Sequence, residues 1–275
     1  MIISIFTNVK NEPDIIEWCY YHLYILKFDN IIICDNDSTI PVLHKINNHP
    51  YLREKVKVFC LSGSFIKNLA REKYFQEYSQ LNDWTLFIDA DEYLVLPGID
   101  NIHIFMNNNI FKNNVDCITF NWKMMGSNKL LKRNNKLVID NYIECESNLL
   151  NPHIKSLVYN KNVLNFKISP HIFQVKNNIV DSTGKKSTCT PFNYNQNQTA
   201  CIFHYWCKSK EDWIDKCNTC KSNNGCDDGS SLNYRQIERW NITLNYKFSE
   251  IYLKKFTIKL IEIIKKNGGT AGQGN

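Results

Sequence analysis

This sequence lacks several features that would place a protein in a broad class. None of its 275 residues belongs to an apolar run as long as 18 residues, so no segment is expected to cross a membrane as a helix. No basic region precedes the first apolar run, which has only the length of a strand, and this argues against a secretory signal peptide. The net charge of +6 is spread over short lysine pairs. These positive charges are too dispersed along the sequence to predict a nucleic-acid-binding surface.

The cysteines lack a regular spacing. There are 11 of them, an odd number, and this argues against an ordered disulfide framework. We expect most of them to be reduced thiols that pack as small apolar side chains. The segment from Cys201 to Cys226 is denser in cysteine and contains the letters CNTC. A zinc site or a disulfide in that segment therefore stays open as the less favoured interpretation.

The first third of the chain does contain a regular alternation of strand and helix patterns. Apolar, β-branched runs at 2–7, 30–35, 56–61 and 84–89 predict buried strands. Continuous apolar strands that alternate with helices predict an α/β fold with a doubly wound, mostly parallel sheet flanked by helices. Asn11 is expected to cap the first helix, with proline in its first turn.

After Pro97 the pattern loosens. Shorter strands are expected, one of them within 166–175, and a long helix is expected over 248–266. We interpret 1–97 as the first half of one domain and 98–266 as its second half, which carries the C-terminal helices. Residues 267–275 are expected to form a flexible tail.

Three carboxylates stand within four positions at the end of the fourth predicted strand: Asp89, Asp91 and Glu92 in DWTLFIDADEYLVLP. Residues two apart in an extended chain point to the same side, so the two aspartates are expected to converge where α/β sheets bind ligands. Left unpaired, each would raise the pKa of the other, and Mn²⁺ or Mg²⁺ would relieve this repulsion. A solvated acidic turn is the alternative interpretation.

Seven segments together carry a family resemblance: TNVKNEPDIIEWCYYH, IIICDNDST, LAREKY, DWTLFIDADEYLVLP, FNWKMMG, KSLV and HYWCKS. In this order they resemble glycosyltransferases of the GT-A fold, and within these the family 2 and family 92 group. The likeness spans about 2–209. It implies a GT-A fold with a smaller acceptor-side strand region. It also implies the metal-dependent, inverting transfer of a hexose from a nucleotide-diphosphate donor, usually UDP-linked, to a hydroxyl of a carbohydrate or glycoprotein acceptor.

The resemblance also implies roles for individual residues. Those that would contact the donor are Thr7, Asn8, Lys10, Asp35, Arg71, Asp89 and Lys208. Those that would hold Mn²⁺ or Mg²⁺ are Asp89, Asp91 and His204. Ordinary structural roles stay open beside these: an Asx turn for Asp35, a surface salt bridge for Arg71, and a solvated helix start for Lys208.

The general base of the transfer is not part of any segment that carries the resemblance. Inverting members use an aspartate or glutamate, and the acceptor-side segment VIDNYIECES supplies Asp140 and Glu144 as candidates. In the segment WKMMG, Trp122 could stack on a sugar face, although a place in the core is the alternative.

Two other functions remain open from the sequence. A haloacid-dehalogenase-like phosphatase also places two aspartates after an apolar strand, but that class of enzyme requires a catalytic aspartate near the start of the chain. An inactive or purely binding module for a sugar or nucleotide is the non-enzymatic alternative. Because related enzymes carry an N-terminal anchor and this sequence starts at its first strand, we expect a cytoplasmic enzyme, a viral one or one module of a larger polypeptide.

Overall fold

A computed structural model describes residues 1–63, 66–107, 114–167, 169–222 and 237–268 of the chain, and the side chains of 220–222 and 237 are outside this description. The strands are β1 Ile3–Val9, β2 Asn30–Asp35, β3 Val56–Cys60, β4 Trp84–Phe87, β5 Glu92–Val95, β6 Val115–Met124, β7 Glu144–Cys145, β8 Asn151–Tyr159, β9 Val163–Asn165, β10 Gln174–Val175, β11 Asn178–Asp181, β12 Cys201–His204 and β13 Phe248–Ser249. The helices are α1 Ile15–Tyr20, α2 Val42–Asn47, α3 Pro50–Lys55, α4 Lys67–Glu77, α5 Ile102–Met106, α6 Val138–Asn141, α7 Lys210–Ser222, α8 Ile237–Ile242 and α9 Thr257–Lys266.

One large sheet organises these elements. Its strands follow the order β3-β2-β1-β4-β8-β6-β12-β5, and β11 also pairs with β6. The first four of these strands are all parallel to one another. The pairs β4-β8, β8-β6 and β12-β5 are antiparallel. This confirms the predicted α/β fold with a mostly parallel sheet flanked by helices.

Both faces of β1, β2 and β4 are largely buried, which explains their nearly continuous apolar runs, whereas the edge strand β3 exposes Lys57 and Cys60. In β2, Ile31 and Ile33 belong to one core cluster, while Ile32 and Cys34 belong to another. Alternate residues of a strand point to opposite faces, so each face of β2 packs against its own layer. Burying one such side chain stabilises the fold by roughly 1.5–3 kcal/mol. A substitution that introduces a polar residue into β2 would lose this stabilisation, whichever face of the sheet the side chain points to.

The sheet also crosses the division that the sequence suggested at residue 97. Strand β4, which lies before it, pairs with β8, which lies after it. Strand β5 likewise pairs with β12. The assignment of 1–97 and 98–266 to separate functional halves stays a prediction, and residues 269–275 of the predicted tail lie outside the described residues.

Three local predictions are wrong. Helix α1 begins at Ile15, because Asn11 adopts a φ of 53° and its side chain accepts the backbone N–H of Thr39 at 2.7 Å, so it cannot cap that helix. In 248–266 only α9 is an α-helix, since Phe248 instead pairs with Cys145 in a short antiparallel ladder. Of the strand predicted within 166–175, only β10 forms among the described residues 166–167 and 169–175.

Neither a membrane-crossing helix nor a disulfide occurs in the described ranges. No helix there combines the length and apolar character needed to span a bilayer. The described cysteines are free thiols, and most are wholly or partly buried. The side chain of Cys220 and all of Cys226 lie outside the described part of the chain, so the predicted site between Cys201 and Cys226 stays a prediction.

Candidate active site

A cleft of about 910 Å³ opens at the carboxyl edge of the sheet. Its lining comes from the segments that follow β1 and β4, from the ends of β6 and β12, and from α7. Parallel strands bring their carboxyl ends to one edge, and that edge is where open α/β sheets bind ligands. Asp89 and Asp91 both line this cleft.

Asp89 is held by two ammonium groups. Its carboxylate lies 2.7 Å from Lys155 Nζ and 3.1 Å from Lys67 Nζ. Burial acts to raise the pKa of Asp89, but the charges of these two lysines hold that pKa well below its usual value. Lys155 is buried beneath the carboxylate, whereas Lys67 lines the cleft. Asp89 is therefore a charged, fully paired group.

Asp91 faces a different cation. Its Oδ2 accepts a hydrogen bond from Lys216 of α7, and its Oδ1 lies 3.7 Å from His204 Nε2. Burial acts to raise the pKa of Asp91, yet Lys216 and His204 hold that pKa well below the ordinary range. The carboxylates of the two aspartates thus point to separate cations instead of to one shared point.

Glu92 stabilises the turn that contains Asp89 and Asp91. Its side chain is fully buried, accepts the backbone N–H of Asp89 at 2.9 Å and lies 3.4 Å from Lys155 Nζ. Burial is the main reason that the pKa of Glu92 rises to about 7. One carboxyl oxygen has no hydrogen-bond partner, and neither does His204 Nδ1, which lies 4.0 Å from it. Glu92 accordingly supports the backbone that presents Asp89.

These residues do not fit a divalent cation in the arrangement that the structure shows. Mg²⁺ takes close to six oxygen ligands in a near-octahedral shell. The carboxylate oxygens of Asp89 already accept hydrogen bonds from lysines. This leaves Asp91 Oδ1 and His204 Nε2 as the atoms of the three predicted ligand residues that could bind a metal. Throughout the described ranges no three His, Cys, Asp or Glu side chains come together in a group that could hold a metal. The predicted metal-ligand role of Asp89, Asp91 and His204 stays a prediction.

The predicted donor residues after β1 do meet the cleft. Asn8 and Lys10 line it, and Thr7 is buried beside a small adjoining pocket of about 10 Å³ that Lys67 and Arg71 also line. The side-chain oxygen of Asn8 is buried without a hydrogen-bond partner. A buried acceptor of this kind costs free energy while it stays unpaired.

Asp35 and Arg71 are held by the protein itself. The Asp35 carboxylate accepts the backbone N–H groups of Ser38 at 3.1 Å and Val42 at 2.8 Å, which is the local turn that the sequence left open. The Arg71 guanidinium is buried and donates to carbonyl oxygens at 2.5–3.2 Å. Those carbonyls belong to Phe166, Ser169 and Pro170, so they already have a partner other than a β-ladder, and among the described residues of the strand predicted at 166–175 only β10 forms.

Lys208 lies in a buried network of charges at one wall of the cleft. Its Nζ is 2.6 Å from Glu12 and 2.5 Å from Asp14. Arg133 pairs with Asp14 as well, and it reaches Asp212 at 3.1 Å. Burial acts to lower the pKa of Lys208, but its carboxylate partners raise that pKa well above the ordinary value. This network joins the loop after β1 to the start of α7.

The two candidate bases lie elsewhere. Asp140 Oδ1 is 3.5 Å from Lys254 Nζ, and Glu144 belongs to β7, which pairs with β13. Neither residue lines the cleft. Trp122 does line it, with its ring stacked on His153 at 5.1 Å and 4.5 Å from His204.

Sequence reasoning missed the three lysines that pair with the aspartates. Lys155 stands in the segment KSLV that carries the resemblance, but no role followed from it. Lys67 and Lys216 stand on helices, where single lysines usually face solvent. Glu17 was also missed, although it too stands in a segment that carries the resemblance: it is buried and accepts the backbone N–H groups at the start of α6 at 2.8 and 3.2 Å.

Comparisons with known proteins give structural likenesses only. No family model and no curated protein matches this chain. A mannosyltransferase from Pyrobaculum calidifontis, solved with GDP-Man and Mn²⁺, is similar at 13% identity and a TM-score of 0.31 over 43% of this chain and 34% of its own. Glucosyl-3-phosphoglycerate synthase from Mycobacterium tuberculosis, solved with phosphoglyceric acid, is similar at 18% identity and a TM-score of 0.30. The match covers 44% of this chain and 44% of the synthase.

HddC from Yersinia pseudotuberculosis is similar over more of the chain. The match has 9% identity and a TM-score of 0.42, and it covers 80% of this chain and 99% of HddC. By contrast, this chain spans less than half the length of the mannosyltransferase and of the synthase. All of these TM-scores are low, so the function has to be argued from the residues of the cleft.

Proposed function

We propose that this chain is a glycosyltransferase that moves a hexose from a nucleotide-diphosphate donor to an acceptor hydroxyl, and that the cleft is its active site. The observation that carries the proposal is the pairing of Asp89 and Asp91 with cations at the carboxyl edge of a mostly parallel sheet. A leaving diphosphate needs positive charge close to its oxygens, and the cleft supplies it through lysines that are already in position.

The reaction proposed is a substitution at the anomeric carbon. The acceptor oxygen forms a bond to this carbon, while the bond to the diphosphate oxygen breaks and the diphosphate leaves with the electron pair. The acceptor proton passes to a general base. Asp140 and Glu144 stay predictions for that role, but the carboxylates that line the cleft besides Asp89 and Asp91 are Glu12, Asp212 and Asp215.

The donor that we propose is a UDP-sugar, and the acceptor a carbohydrate or glycoprotein. Uridine is supported by the resemblance of the ordered segments alone, because Asp35 and Arg71 bond to the protein backbone. The resemblance also implies Mn²⁺ or Mg²⁺. No step is assigned to such an ion here, because the carboxylates that would bind it face ammonium groups.

The test combines nucleotide binding with turnover. UDP, GDP and ADP are compared by their effect on thermal unfolding, with and without Mn²⁺. A ligand at a hundredfold excess over its dissociation constant contributes about 2.7 kcal/mol, and UDP is expected to stabilise most. UDP-glucose, UDP-galactose and GDP-mannose are then incubated with the protein, and release of the nucleoside diphosphate is measured.

The outcomes separate the three functions. Release of UDP from a UDP-sugar supports a transferase, since water can replace the acceptor slowly. Binding of UDP without release of UDP from any sugar donor would favour a binding module. Release of inorganic phosphate from simple phosphate esters, without nucleotide selectivity, would favour a phosphatase. If no nucleotide binds under any condition, the proposal is wrong.

A further inference from the structure

We infer that Lys67 and Lys216 bind the donor's diphosphate directly, so that this cleft works without a divalent cation. The inference rests on the proposed function and goes beyond it by naming the cations. It departs from the metal dependence that the resemblance implies. The grounds are the contacts, the exposure and the charge balance around Asp89 and Asp91.

The two lysines reach the cleft from different helices. Lys67 is the first residue of α4, and its Nζ lies 3.1 Å from Asp89. Lys216 stands on α7, where its Nζ donates to Asp91 and to the carbonyl oxygen of Trp206 at 3.0 Å. Each ammonium group is therefore oriented by one aspartate of the pair.

Both lysines keep part of their surface open to the cleft. The exposed fraction of the side chain is 19% for Lys67 and 30% for Lys216, and both residues line the cleft. Lys155 differs, because only 3% of its side chain is exposed and it lies between Asp89 and Glu92. An ammonium group has three donors, so the two exposed lysines can bond to a phosphate oxygen while they keep their aspartates.

The charge balance around the pair favours an anion. The cations are Lys67, Lys155 and Lys216, with the buried guanidinium of Arg71 beside Asp89. Within this group, which leaves out the neighbouring pair of Glu12 and Lys208, they outnumber the carboxylates of Asp89, Asp91 and Glu92 by one. A diphosphate adds negative charge to this group and is attracted. A divalent cation would add positive charge beside Lys216 and would be repelled.

The atoms of Asp89, Asp91 and His204 that remain free to bind a metal are also too few. Both oxygens of Asp89 bond to lysines, and Asp91 offers one oxygen, with His204 Nε2 3.7 Å away. Binding of Mn²⁺ through both oxygens of Asp91 would require Lys216 to leave Asp91. The ammonium group thus holds the position at which a bound cation would stand, and it brings the charge that the leaving diphosphate needs.

The experiment measures UDP affinity by calorimetry in EDTA and again in Mn²⁺. The variants are Lys67→Met and Lys216→Met, which remove the charge but keep an apolar stem, and Lys216→Arg, which restores the charge. Lys210→Met is the matched control, because Lys210 stands on the same helix α7 and does not line the cleft. Release of UDP from UDP-sugars is measured for the same set.

We expect wild type to bind UDP in EDTA about as tightly as in Mn²⁺. Each methionine variant should weaken that binding about tenfold or more, since a charge-assisted hydrogen bond is lost. Lys216→Arg should retain most of the affinity, and Lys210→Met should match wild type. Lys67→Met keeps Lys155 beside Asp89, so it should fold even if Lys216→Met does not.

Three results would overturn the inference. Wild type that binds and turns over nucleotide only in Mn²⁺ would refute metal independence and leave the proposed transferase standing. UDP binding in EDTA that both methionine variants retain would refute the two lysines as its ligands. The absence of binding to UDP, GDP and ADP in either buffer would overturn the proposed function together with the inference.

Discussion

Replacing Glu17 with glutamine is expected to remove a large pH dependence of stability. Glu17 stands on α1 with 6% of its surface exposed, and its two oxygens accept the backbone N–H groups of Val138 and Ile139 at 2.8 and 3.2 Å. Burial is the main reason that the pKa of this carboxyl rises to about 8, and the nearby charge of Asp14 adds to the rise. The folded chain therefore holds a proton that the unfolded chain has released.

The size of the effect follows from that difference. A rise from 4.5 to about 8 corresponds to a ceiling of about 5 kcal/mol. The folded state binds more protons than the unfolded state over this interval, so wild type loses stability as pH increases from about 4.5 to about 8. Between pH 5 and pH 8 the loss from this one group is about 3.5 kcal/mol.

Glutamine cannot titrate, so the variant should not share that loss. It keeps an oxygen acceptor for one N–H and leaves the other poorly paired, which costs about 1 kcal/mol at every pH. We therefore expect Glu17→Gln to be less stable than wild type at pH 4 and more stable at pH 8, with the two curves crossing at about pH 5. The free energy of unfolding, measured by urea titration across that range, checks the crossing.

Glu54→Gln is the matched control, because Glu54 is exposed on α3. The unfolding free energy of this variant, plotted against pH, should run parallel to that of wild type. Curves for Glu17→Gln that also run parallel to wild type from pH 5 to pH 8 would refute the reasoning. That outcome would mean that Glu17 is charged in the folded protein, stabilised by its two backbone donors.

Three further changes should alter stability, each measured by urea unfolding. Lys155→Met should cost about 3–5 kcal/mol, because it removes a buried ammonium from Asp89; a loss below 1 kcal/mol would contradict this. Asp35→Ala should cost about 1–2 kcal/mol, since two backbone N–H groups lose their acceptor, and wild-type stability would argue against that role. Gly126→Ala should cost about 1–3 kcal/mol, because the added Cβ would lie 2.6 Å from the Tyr246 ring; an unchanged midpoint would show that the ring moves aside freely.

The main strands and the place of the site followed from the sequence alone. The runs at 2–7, 30–35 and 84–89 were mostly apolar because both faces of those strands are largely buried, whereas Lys57 and Cys60 of the run at 56–61 are exposed at the edge of the sheet. Burial of that kind leaves a local record, since every residue of the strand has to be apolar. Asp89 and Asp91 follow β4 directly, and the rule that ligands bind beyond the carboxyl ends of strands then located the cleft.

Where a distant contact overrode the local pattern, the sequence prediction was wrong. Phe248 is the first residue of the helix predicted over 248–266, but pairing with β7 made it a strand residue. Phe166, Ser169 and Pro170 stand in a segment with a strand pattern, but the Arg71 guanidinium donates to their carbonyl oxygens. Propensity contributes a few tenths of a kcal/mol for each residue, which is less than one buried, charge-assisted hydrogen bond.

The partners of the two aspartates were decided by tertiary structure alone. Asp89 meets lysines 22 and 66 residues away, and Asp91 meets one 125 residues away. A lysine on a helix has the same local pattern whether it faces water or a buried carboxylate, because its charge partner depends on the path of the whole chain. The sequence by itself therefore determined that two carboxylates stand at the ligand-binding edge of the sheet. Only the fold determined that ammonium groups face them, because Coulomb attraction depends on distance in space and not on separation along the chain.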